Sequence, residues 1–258
     1  MSIPSPAPST SVALFRVDRL DASYNGSPVL DGLSFEIRAG ERIGLIGPNG
    51  AGKSTLIRLL IGLLAPTHGN VIFEGRPLAD YRPPELARKI AYLPQESHTP
   101  FTLKVWEVVW QGRYPSGGAF VPRTSEDQAC LEAALQRADA VAFRHREFNK
   151  LSGGERKRVL LARLMAQRAS VWMLDEPMAN LDLRHQREIL KTLSEERAAG
   201  TTLVISEHRV DLLARFCDRL ILLKAGRILA AGPPEEVATE AHLSDAFEVP
   251  IRAFRDSD

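Results

Sequence analysis

The chain has 258 residues, 44% hydrophobic and 25% charged, with Lys+Arg 33 against Asp+Glu 32 and a net charge of +1. That balance fits a globular protein with a sizeable core, and it excludes attachment to nucleic acid or an anionic membrane driven by bulk charge. The two cysteines, Cys130 and Cys217, lie far apart in sequence, form no metal-like pair and read as buried reduced thiols.

Residues 1–11 have neither a basic n-region nor an apolar h-region, so they read as a floppy tail and not a signal peptide. No apolar run approaches the roughly 20 residues needed to span a bilayer. Work at a membrane would therefore require a spanning part on another chain.

In chain order, residues 13–17 predict a strand, Tyr24 follows in a polar stretch, and Asn25-Gly26 signals a turn. Residues 33–37 alternate as a half-exposed antiparallel strand, and Ala39-Gly40-Glu41 turns the chain into an apolar strand at 42–46. A helix from Leu56 is expected to end at 66–69. A strand at 71–73, a turn at Glu74-Gly75, a short helix from Pro83 and a strand at 90–93 ending at Pro94-Gln95 follow.

From about 102 to 151 the pattern turns helical and reads as a separate lobe. Leu103, Trp106, Val109 and Trp110 share one helical face, Gly112 to Pro122 reads as a loop, and 125–138 as a polar helix with Leu131, Ala134 and Leu135 on one side. β/α alternation then resumes. A helix at 153–168 precedes a buried strand at 170–174, a helix at 183–199 stopped by Gly200, and a buried strand at 202–205. An edge hairpin at 219–223 and 227–230 and a helix opened by Pro233-Pro234 complete the chain.

Three stretches carry chemistry. Gly47-Pro48-Asn49-Gly50-Ala51-Gly52-Lys53-Ser54-Thr55 satisfies G-x-x-x-x-G-K-[ST] between a strand and a helix. Glycines let backbone N–H groups converge on phosphate oxygens, and the helix start adds partial positive charge. Lys53 is expected to reach the β- and γ-phosphates and Ser54 to place its hydroxyl on Mg²⁺. Asp175 at the end of a buried strand is the expected Mg²⁺ carboxylate, and Glu176 beside it is placed to polarise an attacking water. Taken alone, the two acids also suit a helix cap. Leu151-Ser152-Gly153-Gly154-Glu155 opens a helix, which suits an anion or, more simply, a capping box.

The phosphate loop, then LSGGE, then a strand ending Asp-Glu resembles the ATP-binding cassette (ABC) ATPases over about residues 12 to 232. The resemblance implies that Tyr24 stacks on adenine and that Gln95 contacts Mg²⁺ and the attacking water while joining the two lobes. It likewise implies that His208 touches the γ-phosphate and that Asp182, in Asn180-Leu181-Asp182, lies at a dimer interface. Ser206-Glu207-His208-Arg209 departs from the family's common x-x-His-Asp, and Met178-Ala179-Asn180 replaces its usual Thr-Ser-Ala.

The implied fold is α/β: a phosphate-loop NTPase core with a parallel central sheet, an antiparallel β subdomain and a helical lobe. The expected domain is 12–258, with catalytic core 12–95 and 169–240, helical lobe about 96–168 and a C-terminal helix at 241–258. The implied assembly is a head-to-tail homodimer, or a paired ABC ATPase. Ser152, Gly153 and Gly154 of one subunit then meet ATP held by the other. Two integral-membrane permease subunits and, indirectly, a substrate-binding protein are the expected partners, at the cytoplasmic face of the plasma membrane, with no nucleic acid.

A soluble ABC ATPase acting on nucleic acid or ribosomes is the alternative. The short 95–151 segment leaves no room for a long coiled coil, and a single phosphate loop does not match the two cassettes of translation-type members. Thr102 to Pro115 and the ending around Ala246-Phe247-Glu248-Val249-Pro250 resemble importers of iron-siderophores, haem and cobalamin, which points to a metal chelate as cargo. An importer for another substrate is the remaining option.

Overall fold

The computed structural model describes residues 13–24, 26–95, 101–117 and 124–250; the expected tail at 1–11 lies outside them. β1 (Ala13–Tyr24) and β2 (Ser27–Arg38) pair antiparallel, with Tyr24 opposite Ser27. The strand expected at 13–17 runs on through Tyr24. A register shift between Val17 and Leu20, with Arg19 at φ 43, puts Leu20 and Ala22 back on the buried face after Phe15 and Val17. That bulge is what broke the alternation in the sequence.

β3 (Arg42–Ile46) leads through the phosphate loop into α1 (Lys53–Leu60). This helix stops well before the expected 66–69. Gly62 takes φ 72 just past its end, and Leu63 N–H donates to Arg58 O at 2.9 Å, so the last carbonyls are satisfied by a tight turn. β4 (His68–Phe73) and β5 (Arg76–Pro77) complete a four-stranded sheet in the order β2-β1-β4-β5. α2 (Pro83–Lys89) and β6 (Ile90–Leu93) follow.

The next segment holds α3 (Val105–Trp110), α4 (Tyr114–Gly117) and α5 (Ser125–Arg137). The buried face of α3 is Val105, Val108 and Val109; of the expected stripe of Leu103, Trp106, Val109 and Trp110, Val109 alone is fully buried. Leu103 and Trp110 are only half-buried and pack at the rim of that core, and Trp106 is half-buried as well. The β-branched valines face α6 (Gly153–Gln167), where their smaller size permits close helix approach. The loop expected from Gly112 is helical through Gly117, and residues 118–123 lie outside the described part.

Buried Arg113 ties this lobe together, donating from Nε to Asp127 Oδ1 at 2.9 Å and from Nη1 to Ala166 O at 2.8 Å. The Thr124 hydroxyl and then the Arg113 guanidinium hold the Asp127 carboxyl below its ordinary 3.8. Its folded value is depressed, so its contribution is present above pH 3.8 and is lost as pH falls through the lower folded value. Asp127→Asn should therefore lower the melting midpoint by a few degrees at pH 7, with the gap to the parent closing in strong acid. Thermal melts followed by circular dichroism at both pH values check this.

β7 (Val171–Asp175), α7 (Leu183–Ala198), β8 (Thr202–Ser206), α8 (Val210–Phe216), β9 (Arg219–Lys224) and β10 (Arg227–Gly232) rebuild the β/α alternation. The second sheet runs β10-β9-β3-β8-β7-β6, parallel except for the edge pair β10–β9. The single helix expected from 233 is two, α9 (Pro234–Val237) and α10 (Glu240–Phe247). Thr239 caps the second by accepting from His242 N–H, and Glu248 at φ 56 ends it, so it does not run through 241–258 as expected.

Period-2 alternation sorts the central strands onto two cores. Ile43, Leu45, Val171, Met173, Val204 and Ile221 pack with α1 and the antiparallel sheet. Ile46, Leu93, Trp172, Leu174, Leu203 and Ile205 pack on the other face. The lobe residues Val105, Leu131, Leu135, Phe148 and Leu164 belong to that second core, so lobe and sheet share one hydrophobic cluster. The free thiols of Cys130 and Cys217 are buried as expected, and burial pushes the Cys217 thiol up to about 12.

Candidate nucleotide site

In-register pairing of β3, β8 and β7 puts Leu45 and Asp175 both opposite Ser206. The phosphate loop, Asp175-Glu176 and Ser206-Glu207-His208 therefore emerge side by side at the carboxyl end of a parallel sheet, where such sheets place ligands. Gly47 has φ 144, and a Cβ there would lie 2.2 Å from Leu223 O, so the loop turns at a position only glycine fits. Gly50 (φ 77) and Gly52 (φ 101) complete the bend around Pro48, Asn49 and Ala51. No side chain caps α1 at Gly52, which leaves its first N–H groups aimed at an anion.

Lys53 is buried and donates to Gly47 O at 2.7 Å and Pro48 O at 3.0 Å. Burial lowers its pKa, while Glu176, Asp175 and Glu207 face it and pull the other way. Ser54 follows at the start of α1, half-exposed, and Thr55 behind it is buried.

Glu176 is the hub. Its Oε2 accepts from Gln95 Nε2 at 2.7 Å, and its Oε1 lies 2.6 Å from His208 Nε2. Three residues from distant parts of the chain thus meet at one buried carboxylate. Arg209, the base that follows the histidine, does not disturb this. It bonds Gln186 Oε1 at 3.0 Å on α7 and pairs with Asp211. Asp175 accepts the Ser206 hydroxyl on Oδ1 at 2.5 Å.

Tyr24 ends β1 with 40% of its surface exposed, beside Arg58 of α1, and its hydroxyl is the first cause of the raised Arg58 pKa. Ser152 caps α6: its Oγ accepts Glu155 N–H at 3.3 Å and Glu155 Oε2 accepts Ser152 N–H at 2.8 Å. The simpler expectation, a capping box, is therefore realised, while Ser152 and Gly153 remain exposed. Asp182 caps α7 and its Oδ1 also meets His185 Nδ1 at 2.8 Å.

Residues 30–179 match the ABC transporter family. The chain belongs to the ABC transporter ATPases. The hemin import ATP-binding protein HmuV of Streptomyces coelicolor is 44% identical over 252 residues, spanning 98% of this chain and 89% of that protein. The ferric enterobactin transport ATP-binding protein FepC of Escherichia coli is 38% identical, over 89% of this chain and 85% of its own length. Among solved structures, an inward-facing metal-chelate type ABC transporter matches with a TM-score of 0.81 and 27% identity over 93% of this chain and 90% of that one. As an ABC ATPase the chain binds ATP, and its fold is the expected cassette.

Sequence reasoning missed three members of the site. Ser206 bridges Asp175 Oδ1 and the Glu176 N–H. Lys157 Nζ donates to Glu176 O at 3.2 Å, and Glu207 Oε1 accepts Met178 N–H at 2.8 Å; both side chains are buried. The departure Ser206-Glu207 from the family pattern was the visible signal for two of them.

Proposed function

We propose that this chain is the ATP-hydrolysing subunit of a metal-chelate importer. The observation that carries the reading is the Glu176 carboxylate held between Gln95 and His208 beside the phosphate loop. A carboxylate so placed takes the proton of an attacking water, Gln95 orients that water, and His208 meets the γ-phosphate. Lys53 and the loop from Gly47 to Thr55 hold the phosphates, with Tyr24 on the adenine.

Ser54, Asp175 and Gln95 offer hard oxygen donors, the set that suits Mg²⁺ shared with phosphate oxygens. When bound, that ion offsets charge on the β- and γ-phosphates. Ser152 and Gly153 stand exposed at a helix start with Gly154 half-buried behind them, the end from which a trans contact to the partner's ATP would be made. This supports the head-to-tail dimer.

Among the described residues no helix is long and apolar enough to cross a membrane, so two separate permease subunits would supply the channel, with the cassettes on its cytoplasmic face. An apolar groove of about 700 Å³ between the end of α1, α2 and the lobe residues Gln111–Pro115 suits a permease helix; Tyr81, Leu86 and Tyr92 line it. Leu103, Trp106 and Trp110 are not among its lining residues.

The relatives' cargo, hemin and ferric enterobactin, supports a haem or iron-siderophore class. Leu63 sits on the groove's rim with 65% of its surface exposed. Leu63→Asp should abolish stimulation of ATPase by permease and chelate-loaded binding protein and leave basal ATPase near the parent's. Co-purification with the permease, followed by ATPase assay in vesicles, tests the whole reading. Isolation with ribosomes or DNA alone, or an ATPase indifferent to every permease, overturns it.

A further inference from the structure

Beside the site, Lys157 and Glu207 are two buried charges to which nucleotide binding gives no role. They come from different elements, Lys157 from the second turn of α6 and Glu207 from the residue after β8. Both grip the same short segment of backbone: Lys157 Nζ bonds the carbonyl of Glu176, and Glu207 Oε1 bonds the N–H of Met178.

That segment is strained. Glu176 sits at φ 49, a left-handed conformation that non-glycine residues rarely adopt. Such a conformation persists when its surroundings over-determine it. The Glu176 N–H is also held, by Ser206 O and Oγ, both at 3.1 Å. The backbone is thus pinned at the Glu176 N–H, the Glu176 carbonyl and the Met178 N–H, while the carboxylate itself reaches Gln95 and His208.

We infer that Lys157 and Glu207 are positioning residues, a buried clamp that holds the 176–178 backbone and ties the helix opened by Ser152-Gly153-Gly154 to the Glu176 carboxylate. The inference rests on Glu176 being the general base. Charge arrangement supports it: Glu207, Asp175 and Glu176 all attract the Lys157 ammonium, Glu207 most. Removing either side chain takes away a hydrogen bond to the 176–178 backbone and leaves a buried backbone group unpaired.

The test uses the full chain and four variants, Lys157→Met, Glu207→Leu, their double, and Glu176→Gln as control, with kcat, KM for ATP and melting midpoint measured for each. Each single variant should melt lower and lose roughly 10- to 100-fold in kcat, since a small displacement of a catalytic group is enough for that; KM should change little. The double, which orphans both backbone groups, should melt no higher than either single variant and keep the low kcat. Glu207→Gln, which retains an acceptor for Met178 N–H, should keep most of the rate, and it carries the test where Glu207→Leu fails to fold; a rate as low as that expected for Glu207→Leu would overturn the clamp.

Recovery of kcat together with melting midpoint in the double would make the pair purely structural and overturn the clamp. So would parent-like kcat in the singles. If Glu176→Gln is inactive while the clamp variants turn over normally, the clamp alone fails; if Glu176→Gln itself turns over like the parent, the general-base reading fails first.

Discussion

Glu176→Gln should bind ATP about as well as the parent, hydrolyse it roughly 10²- to 10⁴-fold more slowly, and accumulate as an ATP-bound dimer. The substitution keeps the shape of the side chain and an oxygen that accepts from Gln95 Nε2, so the 2.7 Å contact survives. It removes the group that takes the water's proton, and it puts an amide NH2 where a carboxylate oxygen lies 2.6 Å from His208 Nε2. Each site would be completed by the partner's Ser152-Gly153-Gly154, so ATP that is not consumed favours the closed dimer. Steady-state ATPase together with size-exclusion chromatography in the presence of ATP reads both effects. A parent-like rate, or a protein that stays monomeric with ATP, removes Glu176 from its role.

Lys53→Ala should cost the larger share of binding. The ammonium is buried and held by the carbonyls of Gly47 and Pro48. Burial disfavours the charge there, and only nearby acids and carbonyls oppose that cost. A phosphate chain offers far stronger acceptors, so binding turns Lys53 from the loop toward the β- and γ-phosphates. A charge-assisted hydrogen bond contributes about 1.5–3 kcal/mol, so losing this one should weaken ATP roughly 10- to 100-fold. Calorimetric titration with ATP measures it, and circular dichroism confirms the fold. Unchanged affinity would mean that the loop does not hold the phosphates through this residue.

Much of this was legible in the residues because local chemistry over-specified it. Gly47 to Thr55 between an apolar strand and a helix has few other uses, and the strand ending Asp175-Glu176 and the helix opened by Ser152 could be placed from pattern alone. The parallel core strands, the short helix at Pro83 and the terminal hairpin were equally visible, since each is an apolar run bounded by its own turn or cap signal. Where local pattern misled, a strand bulge, packing against another helix or a tight turn had overridden it. The bulge at Arg19 extended β1 past its apparent end, the valines of α3 took the buried face from the tryptophans, and the turn at Gly62 stopped α1 early.

The sequence by itself determined the family, the glycine-loop pattern from Gly47 to Thr55 and the identity of the acid at the end of β7. Only the tertiary structure decided that Gln95, Glu176 and His208 share one carboxylate, that Lys157 and Glu207 grip the same strained segment, and where the apolar groove lies. The physical reason is separation along the chain. These contacts join residues that no helical or strand period relates, and those around Glu176 follow from in-register pairing of β3, β8, β7 and β6, which brings their carboxyl ends together.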